Sequence, residues 1–236
     1  MNYSILAVIP ARGGSKGIPR KNIKILADKP LIQWTIEEAQ QSKYISRVIL
    51  SSEDEEIIEI AKSMGCDVPF TRPIELSQDT TQGIEPILHA VEMCPGYDYV
   101  MMLQPTSPLR TTKDIDGFIE HFFKNGANAS VSVCEPTKSP YWMFQLEQSK
   151  GILVPLLPEH STVSRRQDLP SIYSLNGALY MAEINWLKTN KGFISKETLG
   201  YVMPQERSYD IDSIVDFKIC EILKKEQISE SYKGDN

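Results

Sequence analysis

Short apolar runs alternate with stretches of helical periodicity through the first half of this chain, and that alternation restricts the fold more than any other feature. Residues 5–9 read as a strand, followed by a helix in which Ile32, Ile36 and Ala39 share one face. Residues 47–51 read as a second strand, leading to a helix striped by Ile57, Ile58, Ala61 and Met64, and residues 66–70 read as another short strand. Ile84, Ile87, Leu88 and Val91 fall at i, i+3, i+4 and i+7; residues 97–103 read as a buried strand, and Ile115, Phe118, Ile119 and Phe122 repeat the helical spacing. Such repetition predicts an α/β fold with a parallel sheet, and right-handed crossovers line the loops after its strands along one edge. Open α/β sheets bind ligands at that edge, so the loops after residues 9 and 103 are expected to face a common ligand.

After Val133 the alternation stops. Pro136, Pro140, Pro155, Pro158 and Pro170 interrupt short apolar runs, which reads as an inserted subdomain. Strands at 173–183 and 199–203 follow, then a helix lined by Val215, Ile219 and Ile222 and a polar tail, S-E-S-Y-K-G-D-N, expected to fray. With 236 residues, 41% of them hydrophobic, the chain is large enough for one core and need not split into independent domains.

The formal net charge of −6 argues against general affinity for nucleic acid or anionic membranes. Cys66, Cys94, Cys134 and Cys220 are scattered without a C-x-x-C pair, so neither a zinc site nor a redox pair is readable. No stretch is long and apolar enough to span a membrane, and the start M-N-Y-S-I-L-A-V-I-P lacks a secretory pattern, so the expected location is cytoplasmic. His89, His121 and His160 have no spacing suited to a metal or a catalytic triad, and structural or surface roles are expected for them.

Against this acidic background stands a basic, glycine-rich loop, A-R-G-G-S-K-G-I-P-R-K-N, directly after the first strand. Gly13, Gly14 and Gly17 permit tight turns that bring backbone N–H groups to phosphate oxygens, while Arg12, Lys16, Arg20 and Lys21 supply positive charge. The run matches neither G-x-G-x-x-G nor the Walker A pattern. A triphosphate is the expected ligand, and an ordinary strand-to-helix turn with solvated charges is the bland alternative.

Asp210 and Asp212 in S-Y-D-I-D-S sit two apart, so an extended segment projects both carboxylates to one side with Ile211 inward. Such a pair suits magnesium; the alternative makes Asp212 a helix N-cap. In L-Q-P-T-S-P-L-R, two prolines fix the backbone so that the Gln104 amide could address a sugar, while Thr111 or Thr112 could cap the next helix. Arg165 and Arg166 are adjacent guanidinium groups able to clamp a carboxylate or phosphate, or to form surface or intersubunit ion pairs. Asn176 and Tyr180 in N-G-A-L-Y offer an amide and a phenol on a β-rich segment. Arg72 and Thr81 precede the third helix on the ligand edge, where an arginine fork and a backbone carbonyl could read a pyrimidine, or where Thr81 could simply cap a turn.

The glycine-rich loop, R-P-x-E-L, L-Q-P-T-S-P, R-R-Q-D, N-G-A-L-Y and D-I-D occur in the order found in the CMP-sialic acid synthetase (N-acylneuraminate cytidylyltransferase) family, which the chain resembles over nearly its whole length. The resemblance implies a single Rossmann-like nucleotidyltransferase domain over 1–236 and a small dimerisation subdomain, about 137–195, inserted within it. It also implies a homodimer in which Phe193 reaches the sugar pocket across the interface. The implied reaction is attack of a sugar's anomeric hydroxyl on the α-phosphorus of CTP, with release of pyrophosphate. Arg12, Lys16 and Lys21 would hold the triphosphate, Asn22 would orient the nucleotide, and magnesium would bind Asp210 and Asp212. Gln104, Asn176 and Tyr180 would hold the sugar, with Arg165 or Arg166 near its carboxylate or the reacting phosphate. The expected acceptor is a nine-carbon 2-keto sugar acid, N-acetylneuraminate first, with legionaminic or pseudaminic acid as the alternative. From another class, a silent nucleotide-binding regulatory module would use the same cleft.

Overall fold

Every residue of the run Ile5 to Ile9 is buried in the computed structural model, which describes residues 3–157 and 165–234. The run forms β1 (Ile5–Pro10), and successive side chains leave it on opposite faces. Ile5, Ala7 and Ile9 pack with α1 (Leu31–Gln40), α2 (Glu55–Ser63) and α4 (Thr112–Lys124). Leu6 and Val8 pack on the other face with α3 (Glu85–Met93) and α5 (Ile184–Asn190). Helices on both faces explain why β1 is apolar without alternation.

The main sheet has six strands in the order β10-β6-β9-β5-β1-β4, formed by β4 (Arg47–Ser51), β5 (Tyr99–Met102), β6 (Ala129–Cys134), β9 (Ser174–Glu183) and β10 (Leu199–Val202) around β1. β9 runs antiparallel to both neighbours, whereas the other pairings are parallel. Two small sheets stand apart, β2 (Ile25–Leu26) with β3 (Lys29–Pro30), and the hairpin of β7 (Phe144–Glu147) with β8 (Ile152–Pro155). α6 (Ile214–Gly234) closes the chain against a third core cluster containing Trp34, Leu109 and Ile211.

Several expectations are corrected. The anticipated strand at 66–70 is reduced to one parallel bridge between Ile49 and Asp67. The anticipated insertion at 137–195 contains β9, a central strand of the main sheet, while its β7–β8 hairpin forms a sheet of its own. Proline interruptions marked where the insertion begins, but the apolar run of β9 belongs to the core. In α6 the buried face carries Phe217, Cys220 and Lys224, while Val215 and Ile222 are each 60% exposed. The helix continues to Gly234 instead of fraying at the polar tail. Pro158 and His160 lie outside the described residues. All four cysteines are free and buried, His89 packs edge-on to Phe70, and His121 lies against Tyr201. Among the described residues no helix is long and apolar enough to cross a membrane.

Candidate active site

The loops after β1, β4 and β5 meet at the carboxyl edge of the sheet, where the expected ligand crevice lies. A cavity of about 340 Å³ opens there between Arg12, Lys21, Asn22, Arg72, Gln104 and Asp212. A second, of about 570 Å³, is walled by Gln104, Asn176, Tyr180, Ser208 and Asp210. Gln104 and Asp210 border both, so the two cavities share a seam.

The glycine-rich loop is shaped by its neighbours. A Cβ on Gly17 would lie 2.4 Å from the Asp212 carbonyl oxygen, and one on Gly13 would lie 2.3 Å from Asp54 Oδ2, so close approach accounts for both glycines. Asn22 Nδ2 donates to the Arg12 carbonyl at 2.9 Å and ties the two ends of the loop. Lys21 is mostly buried, and its Nζ donates to the Ile211 carbonyl at 2.5 Å. Arg12 and Lys16 both pair with Asp79, at 2.9 and 2.8 Å. Arg20 points elsewhere: in a left-handed conformation with φ 55°, it pairs with Asp54 and Glu56, so that of the loop's cations Arg12 and Lys21 line the cavity while exposed Lys16 reaches it through Asp79. The Gly13 N–H, expected to face phosphate, donates instead to Glu53 Oε1 at 2.8 Å.

Ile211 is fully buried, as the Asp-x-Asp spacing requires, and leaves Asp210 mostly buried beside an Asp212 that is 85% exposed. Burial, then the charge of Asp212, raises the Asp210 carboxyl above its ordinary value. Its Oδ1 is buried without a hydrogen-bond partner. Asp212 is not the N-cap: Ser213 Oγ accepts from the Asp216 N–H at 3.3 Å, and Asp216 Oδ2 accepts from the Ser213 N–H at 2.7 Å.

On the second cavity, a bulge interrupts the pairing of β6 with β9 around Gly177, whose φ is +75°. A Cβ there would lie 3.2 Å from Gln104 Oε1 and 3.5 Å from Asp210 Oδ2, so the bulge turns bare backbone toward the seam. Asn176 is committed to holding this bulge: its Oδ1 accepts from Ser132 Oγ at 2.6 Å and its Nδ2 donates to Ser208 Oγ at 2.9 Å. Buried Arg110 donates to the Ala178 carbonyl at 2.7 Å and to Thr35 Oγ1 at 2.8 Å, fastening the Gln104 loop to β9. Thr111 forms a capping box with Asp114 at the start of α4, so the Gln104 segment serves as both cavity wall and helix entry.

Other expected residues are placed differently. The Thr81 hydroxyl is used within its own turn, donating to the Glu75 carbonyl at 3.0 Å, although the residue borders the first cavity. Phe193 is a core side chain packed against Tyr180, a wall residue of the second cavity, with ring centroids 5.5 Å apart. Burial, and then the charge of Asp210, raises the Tyr180 phenol. Arg165 is exposed and lines neither cavity, and Arg166 opens a short 3-10 turn, Arg166–Asp168. Sequence reasoning missed Glu53 and Asp79. Both follow elements that end at the ligand edge, a topological signal that S-S-E-D and Q-D-T-T carry.

A family model described as Cytidylyltransferase matches residues 6–230. The chain is 34% identical over 224 residues to CMP-N,N'-diacetyllegionaminic acid synthase of Legionella pneumophila, covering 93% of this chain and 95% of that protein. It is 35% identical over 225 residues to pseudaminic acid cytidylyltransferase of Campylobacter jejuni, covering 93% and 96%. Identity to N-acylneuraminate cytidylyltransferase of Escherichia coli is 33% over 228 residues, covering 96% of this chain and 54% of that protein. Among solved structures, CMP:2-keto-3-deoxy-manno-octonic acid synthetase complexed with CTP matches with a TM-score of 0.70 at 14% identity, covering 95% of this chain and 99% of that one. That last likeness speaks for the fold.

Proposed function

Because the chain belongs to the cytidylyltransferase family, we propose that it transfers CMP from CTP to the anomeric hydroxyl of a nine-carbon 2-keto sugar acid. The observation that carries this reading is the seam at Gln104 and Asp210, which would bring a nucleotide in one cavity against an acceptor in the other. The acceptor oxygen bonds to the α-phosphorus as the bond to the β-phosphate oxygen breaks, pyrophosphate leaves, and the hydroxyl proton is released. Arg12, Lys16 and Lys21 hold the triphosphate and stabilise charge on the leaving pyrophosphate. Arg72 addresses the base, and Gln104 and Tyr180 the sugar. Arg165 or Arg166 is assigned to the acceptor's carboxylate or the reacting phosphate.

The donor set fits magnesium. Asp210 Oδ1 is a buried carboxylate oxygen without a partner, and Asp212 stands two residues on. Magnesium is commonly held by one or two carboxylates with phosphates completing its shell. Held by Asp210 and Asp212, it would neutralise phosphate charge beside the acceptor.

Relatives named for three different acids are 33–35% identical to this chain, which does not rank them, so the acceptor is assigned as a class. We also assign the reaction to the cytoplasm, in keeping with four free cysteines, and a homodimer built on the β7–β8 hairpin. Phe144, Leu146, Ile152, Leu153 and Val154 of that hairpin are exposed; a lone two-stranded hairpin is marginally stable, and an apolar patch of this kind suits a second copy. The deciding experiment measures pyrophosphate release from CTP and magnesium with N-acetylneuraminate, legionaminic and pseudaminic acids, and the mass of the product. A CMP-sugar supports the proposal and names the acceptor; CTP binding without pyrophosphate release from any of them makes the chain a silent nucleotide-binding module.

A further inference from the structure

Glu53 is an acid set directly behind Arg72, a cation that lines the first cavity. Its side chain is only 15% exposed and faces Arg72, whose side chain is 2% exposed. Glu53 Oε1 accepts from the Gly13 N–H at 2.8 Å, and Oε2 accepts from Arg72 Nη2 at 2.7 Å. Arg72 Nε donates to Ser77 Oγ at 2.8 Å, and the Ser77 carbonyl accepts from Arg12 Nη1 at 3.5 Å. The contacts therefore run from the glycine-rich loop through Glu53, Arg72 and Ser77 back to the loop. The backbone supports the same geometry: the Arg72 N–H donates to the Ser52 carbonyl at 2.9 Å and the Ala11 N–H to the Ser51 carbonyl at 3.0 Å.

We infer that Glu53 is a positioning residue that couples the phosphate loop to recognition of the nucleotide base, by holding Arg72 so that one nitrogen is left to read the pyrimidine. With Nε on Ser77 and Nη2 on Glu53, Arg72 offers Nη1 to the cavity that it lines. An arginine nitrogen donates and never accepts. It therefore suits cytosine, whose O2 and N3 both accept, and opposes uracil, whose N3 carries a proton. A buried carboxylate here is tolerable because both of its oxygens are engaged. The inference rests on the proposed use of this cavity for CTP.

The test compares the full-length wild type with Glu53→Gln, Arg72→Gln and the double variant, measuring CTP and UTP binding by calorimetry with magnesium, kcat and KM, and thermal unfolding. In Glu53→Gln an amide replaces the acceptor facing Arg72, and CTP affinity is expected to fall about tenfold. UTP affinity should stay within about twofold and kcat at saturating CTP within about threefold, so that discrimination collapses through KM. The double variant should bind CTP no worse than the weaker single variant, because both changes break one unit. Losses that multiply in the double variant overturn the coupling, as does an unchanged CTP-to-UTP ratio in Glu53→Gln, even with lowered thermal stability. Should Glu53→Gln fail to fold, the ratio in Arg72→Gln decides: retained preference for CTP overturns the inference. Wild type that binds no CTP defeats the functional proposal itself, which separates the two failures.

Discussion

Lys21 Nζ lies 3.9 Å from Asp212 Oδ1 while donating to the carbonyl of the intervening core residue, Ile211. The glycine-rich loop near the start of the chain and the acidic segment near its end thus form one rim. Lys21 is 14% exposed, so its ammonium is less screened than that of Lys16 on the same loop. Lys21→Met keeps the apolar stem and removes the charge. Its kcat/KM for CMP transfer should fall by about 100- to 1,000-fold, the usual cost of losing one aimed electrostatic contact to a transition state. Stability should fall by only about 1 kcal/mol, for the hydrogen bond to Ile211. Steady-state pyrophosphate release and thermal unfolding measure the two effects, and unchanged turnover would remove Lys21 from the reaction.

The same rim explains Gly17. A methyl group there meets the Asp212 carbonyl oxygen at 2.4 Å, backbone against backbone, so neither side can yield by turning a rotamer. Gly17→Ala should displace the Asp212 segment and cost about 1–3 kcal/mol of stability together with most of the turnover. Gly14 supplies the control, since nothing lies within 4 Å of a Cβ built on it. Gly14→Ala should unfold at the wild-type denaturant midpoint, and equal destabilisation of the two variants would contradict the close-approach account.

Asp79 occupies the two cations that a triphosphate would use. It pairs with Arg12 and Lys16, and the hydrogen bond from Lys16 leads the effects that hold its carboxyl below the usual range. CTP must displace this internal anion, so Asp79→Asn should bind CTP about threefold more tightly at low salt, with the advantage shrinking as screening increases. Titration calorimetry across a salt series tests this. Weaker binding by the variant would instead make Asp79 part of the nucleotide site.

The sheet was legible because β1, β4 and β5 are apolar runs separated by helices of regular period, and burial between two helical layers demands that composition. The Asp210–Asp212 pair was legible because a period of two with Ile211 inward leaves few arrangements. Asn176 lines the second cavity, but the letters show an amide without the bulge that also engages it. Val215 and Ile222 misled for a related reason: they share a helical stripe, yet α6 meets the core through Phe217, Cys220 and the stem of Lys224. Glu53 was invisible because its partners, Gly13 and Arg72, are distant in sequence and meet only through the order of strands.

Arg20, the loop cation turned away from the cavity, should be visible in the acid stability of the protein through Asp54. Asp54 Oδ1 caps α2 by accepting from the Ile57 N–H at 3.0 Å, and its carboxylate accepts from Arg20 at 2.5 and 2.9 Å. The Arg20 bonds lead the effects that hold its carboxyl below the ordinary value, against the opposing pull of burial. A carboxyl whose folded value is depressed stabilises the fold above its unfolded value, about 3.9, and that contribution disappears as pH falls through the folded value. Asp54→Asn keeps a cap acceptor and loses the charge. Because Arg20 is 40% exposed, solvent screening limits the pair, and the variant should be less stable than wild type by about 1 kcal/mol at neutral pH. The difference should close below the folded value of Asp54, where wild type has taken up the proton. Urea unfolding of both proteins from about pH 7 to about pH 2 follows it. A stability gap that persists unchanged at the acid end would assign the loss to the cap rather than to the ion pair.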